Sequence, residues 1–292
     1  MHLALFILIF AIAVVGRLRW RTPSERAHHW RHTVVTFLLP PLCLLTTAVA
    51  ILCMGAEGQM VGRPVGRLGY LTAMGFLAAA LCLLGWLTWQ GWRSLRKIRA
   101  LPIVTLNGYS CRQLDTNIPF AAQIGFWTPT LVVSRGLFET LTPQHLSAVL
   151  VHEQAHRRFR DTFWFFCLGW LRRLTSWLPK TDSLWQELLL LRELRADAWA
   201  ASHVDAILLA EALLTVVQHH AALEHQVTPN SLCTSFAALT DASTPVSRLE
   251  ERVAALIDQT TDVPECSWLR GRAFYTILAI ALVPVLTIFL HR

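Results

Sequence analysis

The chain has 292 residues, a formal net charge of +7, and only 15% charged residues against 54% hydrophobic ones. Soluble domains carry about 25% charged residues. With a mean hydropathy of +0.43, the balance excludes an ordinary soluble domain and points to a membrane protein. The basic residues sit beside apolar runs rather than in one tract, which argues against direct nucleic-acid binding.

Twelve tryptophans fit the membrane class, because Trp favours the membrane–water interface. Seven scattered cysteines with no CxxC pair exclude a disulfide framework. Apolar runs occur at 2–16, 33–54, 69–91 and 273–290. A bilayer core needs about 20 apolar helical residues, within a range of about 17–25. Four transmembrane helices are therefore expected, three within 1–92 and one within 271–292.

Arg17, Arg19 and Arg21 follow the first run instead of preceding it. That order is the reverse of a cleaved signal peptide, so the run reads as an anchor with its N-terminus outside. The basic loop from Arg17 to Arg31 then faces the cytoplasm. Trp86, Trp89 and Trp92 form an aromatic belt, followed by Arg93, Arg96, Lys97 and Arg99 as a second cytoplasmic anchor. Residues 93–270 are expected as one cytoplasmic domain.

Met1, Met54, Met60 and Met74 all fall in the first quarter of the chain. This topology puts them near the outer membrane face with Cys53, His2 and His291. Soft sulfur ligands suit copper(I), so an outer-face copper site is one reading. Gap-filling apolar residues in a helix bundle are the plainer one.

The domain opens with β-rich stretches, Pro102 to Leu106, Cys111 to Asp115 and Thr130 to Ser134, which read as a small sheet. Next comes LTPQHLSAVLVHEQAHRRFRD. Thr142 suits a helix N-cap and Pro143 its first turn, predicting a helix over 143–160. His152 and His156 then share one face and can both turn a ring nitrogen on one metal ion. Zinc in catalytic sites takes three protein ligands and keeps one position for water. Glu153 suits a general base for that water. The competing reading is a plain charged helix face, which only a third ligand overturns.

The third ligand is sought in LLLLRELRADAWAASH, on a helix capped by Asp182 or Ser183. Glu193 and Asp197 share a face beside the small Ala196. Either they pair with Arg192 or Arg195 in solvent, or Glu193 is the third ligand and Asp197 orients a ligand histidine. Glu187, elsewhere on the helix, is a fallback ligand.

PTLVVSRGLFETLTPQHLSAVLVHEQAHRRFRD, followed by LLLRELRADAWAA, resembles the BlaR/MecR family of membrane zinc peptidases over roughly residues 100–205. The resemblance implies an α+β zincin-like (gluzincin) domain with zinc on His152, His156 and Glu193 and Glu153 as base. It also implies a multi-pass protein of the bacterial inner membrane, with lipid around its spans and a homodimer as one arrangement. Such proteins relay an outside signal by inactivating a cytoplasmic winged-helix repressor of the BlaI/MecI type. Antibiotic-sensing members carry a penicillin-binding domain after the fourth span. No such domain is read here, so β-lactam sensing is not expected, whereas the peptidase chemistry is.

The HtpX-like quality-control peptidases share HExxH and ExxxD but place spans between them. Here only TFWFFCLGWLRRLTSWLP, residues 162–179, intervenes, broken by Arg172 and Arg173. It reads as an amphipathic helix on the membrane surface or as an ordinary buried helix. STPVSRLEERVAALI faintly resembles a later motif of those relatives. Arg248 or Arg252 there either stabilises an oxyanion or lies on a solvated face. The family resemblance also suggests an edge strand between Pro119 and Val133 that holds an extended substrate by backbone pairing. Three functions remain: a regulatory peptidase, a housekeeping membrane peptidase, and a non-enzymatic membrane sensor.

Overall fold

A computed structural model describes residues 2–20, 29–56, 59–60, 63–64, 66–106, 108–224, 248–258 and 272–286. The helices are α1 (His2–Arg19), α2 (His29–Met54), α3 (Gly66–Arg99), α4 (Arg135–Thr140), α5 (Pro143–Phe159), α6 (Asp161–Leu174), α7 (Thr181–Ala201), α8 (Ala206–Glu224), α9 (Leu249–Ile257) and α10 (Arg272–Leu286). The strands are β1 (Gln59–Met60), β2 (Arg63–Pro64), β3 (Ile103–Leu106), β4 (Tyr109–Leu114), β5 (Ala121–Ile124) and β6 (Thr130–Ser134). The architecture is mostly helical with a small mixed sheet. Among the described residues, two helices, Trp30–Met54 within α2 and all of α3, are long and apolar enough to cross a membrane. The other two apolar runs fall on α1, of 18 residues, and α10, of 15.

The chain divides into two compact units: 1–86 with 170–189 and 265–292, and 87–169 with 190–264. The division falls at 86/87 rather than at 92/93, and it adds 170–189 to the unit of the apolar helices. Specific bonds account for that addition. Trp170 Nε1 donates to Ala80 O at 3.0 Å, and Lys180 Nζ donates to Trp20 O at 2.6 Å.

Within the first unit α10 packs along α2. Pro40 and Pro41 lie inside α2. Proline has no N–H, so the carbonyls four residues back, Thr36 and Phe37, lose their helical donors. Arg17 replaces both: Nε donates to Thr36 O at 3.0 Å and Nη2 to Phe37 O at 2.7 Å. Its third nitrogen donates to Thr181 Oγ1 at 2.9 Å, and the guanidinium stands 5.6 Å from the Phe37 ring centroid. Arg17 is wholly buried and lies within α1, which corrects its reading as a loop residue. The expected helix over 162–179 is α6, which stops at Leu174. α7 starts at Thr181, ahead of the expected Asp182 or Ser183 cap, its first backbone bond running from Leu184 N to Lys180 O at 3.0 Å.

In the second unit the sheet order is β3-β4-β6-β5. β4 and β6 are parallel and the other pairs antiparallel. β5 is an edge strand inside the stretch where one was expected. The core joins Cys111, Leu131 and Val133 of the sheet to Leu146, Val149 and Leu150 of α5. Thr142 caps α5, its Oγ1 accepting from His145 N at 3.3 Å, with Pro143 in the first turn. α5 packs against α8 and β5. It ends at Arg160, whose left-handed backbone (φ 54°, ψ 38°) turns the chain into α6.

Candidate metal centre

α5 and α7 supply the side chains. One helical turn separates His152 from His156, and their Nε2 atoms stand 3.2 Å apart with the rings edge to face. From α7, Glu193 brings Oε2 to 3.4 Å from His152 Nε2 and Oε1 to 3.7 Å from His156 Nε2. Among the described residues, His152, His156 and Glu193 are the one group of His, Cys, Asp or Glu side chains placed to hold a metal ion. Glu187 is not part of it.

Each histidine has a carboxylate behind it. Asp197 Oδ1 is 2.8 Å from His152 Nδ1, and His156 Nδ1 donates to Asp161 Oδ2 at 2.8 Å. A carboxylate at Nδ1 keeps the proton there and leaves Nε2 as a lone pair. Two Nε2 atoms 3.2 Å apart, faced by a carboxylate, are placed to share a cation. Ligands about 2.0–2.1 Å from a tetrahedral zinc stand about 3.3 Å from one another. The separations of 3.2, 3.4 and 3.7 Å bracket that distance, so the donor set fits such an ion.

Each aspartate is in turn held by an arginine. Arg252 of α9 donates through Nε and Nη2 to Asp197 at 2.7 and 2.8 Å, with Nη1 at 3.4 Å from Glu193 Oε2. Arg195 donates to Asp161 and lies over the Phe159 ring. Arg192 pairs with Glu193 at 2.8 Å. The expected ion pair with Arg192 therefore exists, and Glu193 faces the histidines as well.

The electrostatics divide the carboxyls into two kinds. Burial raises Glu153 above the usual carboxylate range, against the opposing pull of His156 and His152. Burial would lift Glu193 too, but Arg192, His156 and Arg252 outweigh it and hold that group well below the range. Asp197 is likewise lowered, its burial outweighed by Arg252 and His152. Glu153 Oε2 is buried and has no hydrogen-bond partner among the described residues. A carboxyl raised by burial beside carboxylates held low is a division that acid–base chemistry can use.

Asp161, Arg195 and Arg252 enter the site in roles the sequence did not reveal. Asp161 carried a signal, since it lies five residues beyond His156 at a helix break. Arg252 is buried, which corrects its solvated-face reading, and its donors are directed at carboxylates. Arg248 opens α9 in a left-handed turn and forks onto Glu251 at 2.6 and 2.8 Å. Of the sulfur residues expected to form a copper site, Cys53 and Met74 are exposed and Met54 is half-buried. The side chains of Met1, Met60, His2 and His291 lie outside the described residues. No protein-family model, curated protein or solved structure matches the chain.

Proposed function

We propose that the chain is a membrane-embedded zinc metalloendopeptidase that relays a signal by cleaving a cytoplasmic winged-helix repressor of the BlaI/MecI type. Four spans, an outside N-terminus and a cytoplasmic peptidase domain belong to this reading. The observation that carries it is the convergence of His152 Nε2, His156 Nε2 and a Glu193 oxygen, in the same unit as a buried Glu153 Oε2 with no hydrogen-bond partner among the described residues. The resemblance of the two motifs to the BlaR/MecR family supplies the substrate class.

His152, His156 and Glu193 would hold the ion, which when bound supplies Lewis acidity toward water and a peptide carbonyl. Glu153 accepts the proton of the attacking water at Oε2. Water oxygen bonds to the carbonyl carbon, the C–N bond breaks, and Glu153 returns the proton to the leaving amine. Asp197 and Asp161 keep the histidine rings aimed. Arg252 is a positioning residue that acts through Asp197. The free edge of β5, beside α5, offers backbone pairing to an extended substrate.

Glu153→Gln is expected to keep the metal and lose cleavage, whereas His152→Ala loses both. Quantitative proteomics of cells carrying Glu153→Gln tests the substrate class. One small DNA-binding protein is expected to accumulate. Many membrane proteins accumulating together would instead indicate quality control, and undiminished cleavage by Glu153→Gln would refute the base assignment.

A further inference from the structure

We propose that the loop after β5, Gly125 to Pro129, is an aromatic membrane anchor whose Trp127 docks in the headgroup zone of the bilayer. The proposal rests on the reading of α3 as a membrane span. Trp127 is 72% exposed, yet its ring is stacked on Phe163 of α6 at 4.7 Å and 29°. Phe126 meets Phe166 edge to face at 4.6 Å. A large apolar ring is thus held rigid on an aromatic platform and offers its other face outward.

Its depth follows from Gly91. A Cβ added at Gly91 would lie 2.9 Å from Phe126 Cζ, so the loop rests directly on the α3 backbone there. Trp89 and Trp92 flank Gly91, 51% and 47% exposed. At about 1.5 Å rise per residue, both lie within about 3 Å of Gly91 along the helix axis. Each carries a cation over its ring, Arg93 at 5.6 Å and Arg96 at 3.6 Å. Tryptophans backed by arginines mark where a span leaves the hydrocarbon for the headgroups. That zone is about 5–8 Å thick on each side, and Trp127 follows Phe126 by one residue, about 3.8 Å. Gly125, at φ 138°, makes the turn from β5 into the loop. Lipid is therefore the occupant that this level and this apolar surface favour, and the β5 edge ends at the bilayer surface.

The test uses the full chain in nanodiscs of phosphatidylethanolamine and phosphatidylglycerol. A nitroxide is placed at position 127 on a ketone amino acid, which avoids the native cysteines, with reference labels at 92 and 115. Power saturation by oxygen and by a water-soluble nickel chelate reads depth. The expected result is a loss of chelate collisions at 127, matching position 92 and unlike the exposed position 115. A label at 127 as open to the chelate as one at 115, with 92 still interfacial, overturns the anchor and leaves substrate or a second copy to cover Trp127. An aqueous signal at 92 overturns the span reading of α3 and this proposal with it.

Discussion

Arg17 in the first unit and Arg252 in the second are both buried, and they are satisfied by opposite means. Arg17 faces neutral groups: two carbonyls orphaned by Pro40 and Pro41, the Thr181 hydroxyl and the Phe37 ring. Arg252 is clamped onto Asp197 and stands beside Glu193. Burial pulls Arg252 down, but the Asp197 carboxylate outweighs it and holds the guanidinium above its usual range. The difference separates two uses of a buried cation. Arg17 repairs backbone, so its charge is incidental to its donors. Arg252 balances charge, and in doing so keeps the carboxylate behind His152 ionised.

The largest effect is expected at Arg252. Arg252→Met leaves Asp197 buried without its counter-ion, and such losses cost about 3–5 kcal/mol. Denaturant unfolding is expected to read that loss. Adding Asp197→Leu should return much of the stability but not the metal affinity, because His152 then lacks its carboxylate. Arg17→Met is expected to cost less, about 1–3 kcal/mol in unfolding titrations. Its unpaired carbonyls are offset by shedding a desolvated guanidinium. Pro40→Ala with Pro41→Ala restores two N–H donors, so in the Arg17→Met background it should recover part of the loss. A charge role for Arg17 would give no such rescue.

Asp161→Asn sharpens the same contrast at the other histidine. A neutral partner in place of the carboxylate is expected to weaken metal binding about 10–100-fold, read by chelator competition. The smallest effect is expected at Arg248. Its pair with Glu251 is solvent-accessible, so Arg248→Ala should change stability by no more than about 0.5 kcal/mol.

What could be read from the sequence was local. Thr142 and Pro143 begin α5 where cap chemistry puts them, and the four-residue spacings of His152/His156 and Glu193/Asp197 each fix a face. Asp197 stands 2.8 Å from His152 Nδ1, on the face its spacing from Glu193 predicts. Contacts that depend on where helices end up were not legible. Asp161 reaches His156 only because Arg160 adopts a left-handed turn, and Arg252 reaches Asp197 across 55 residues of chain. Arg17 belongs with these: in the sequence it is one arginine of a cluster, and its donation to the carbonyls freed by Pro40 and Pro41 depends on the pairing of α1 with α2.

The most direct test of the account is elemental analysis of the purified chain, with His156→Ala and Glu153→Gln beside it. About one zinc per chain is predicted for the wild type and for Glu153→Gln, and almost none for His156→Ala. A wild-type chain that binds no zinc after loading, or equal zinc in all three, would contradict the assignment of His152, His156 and Glu193 as the metal centre.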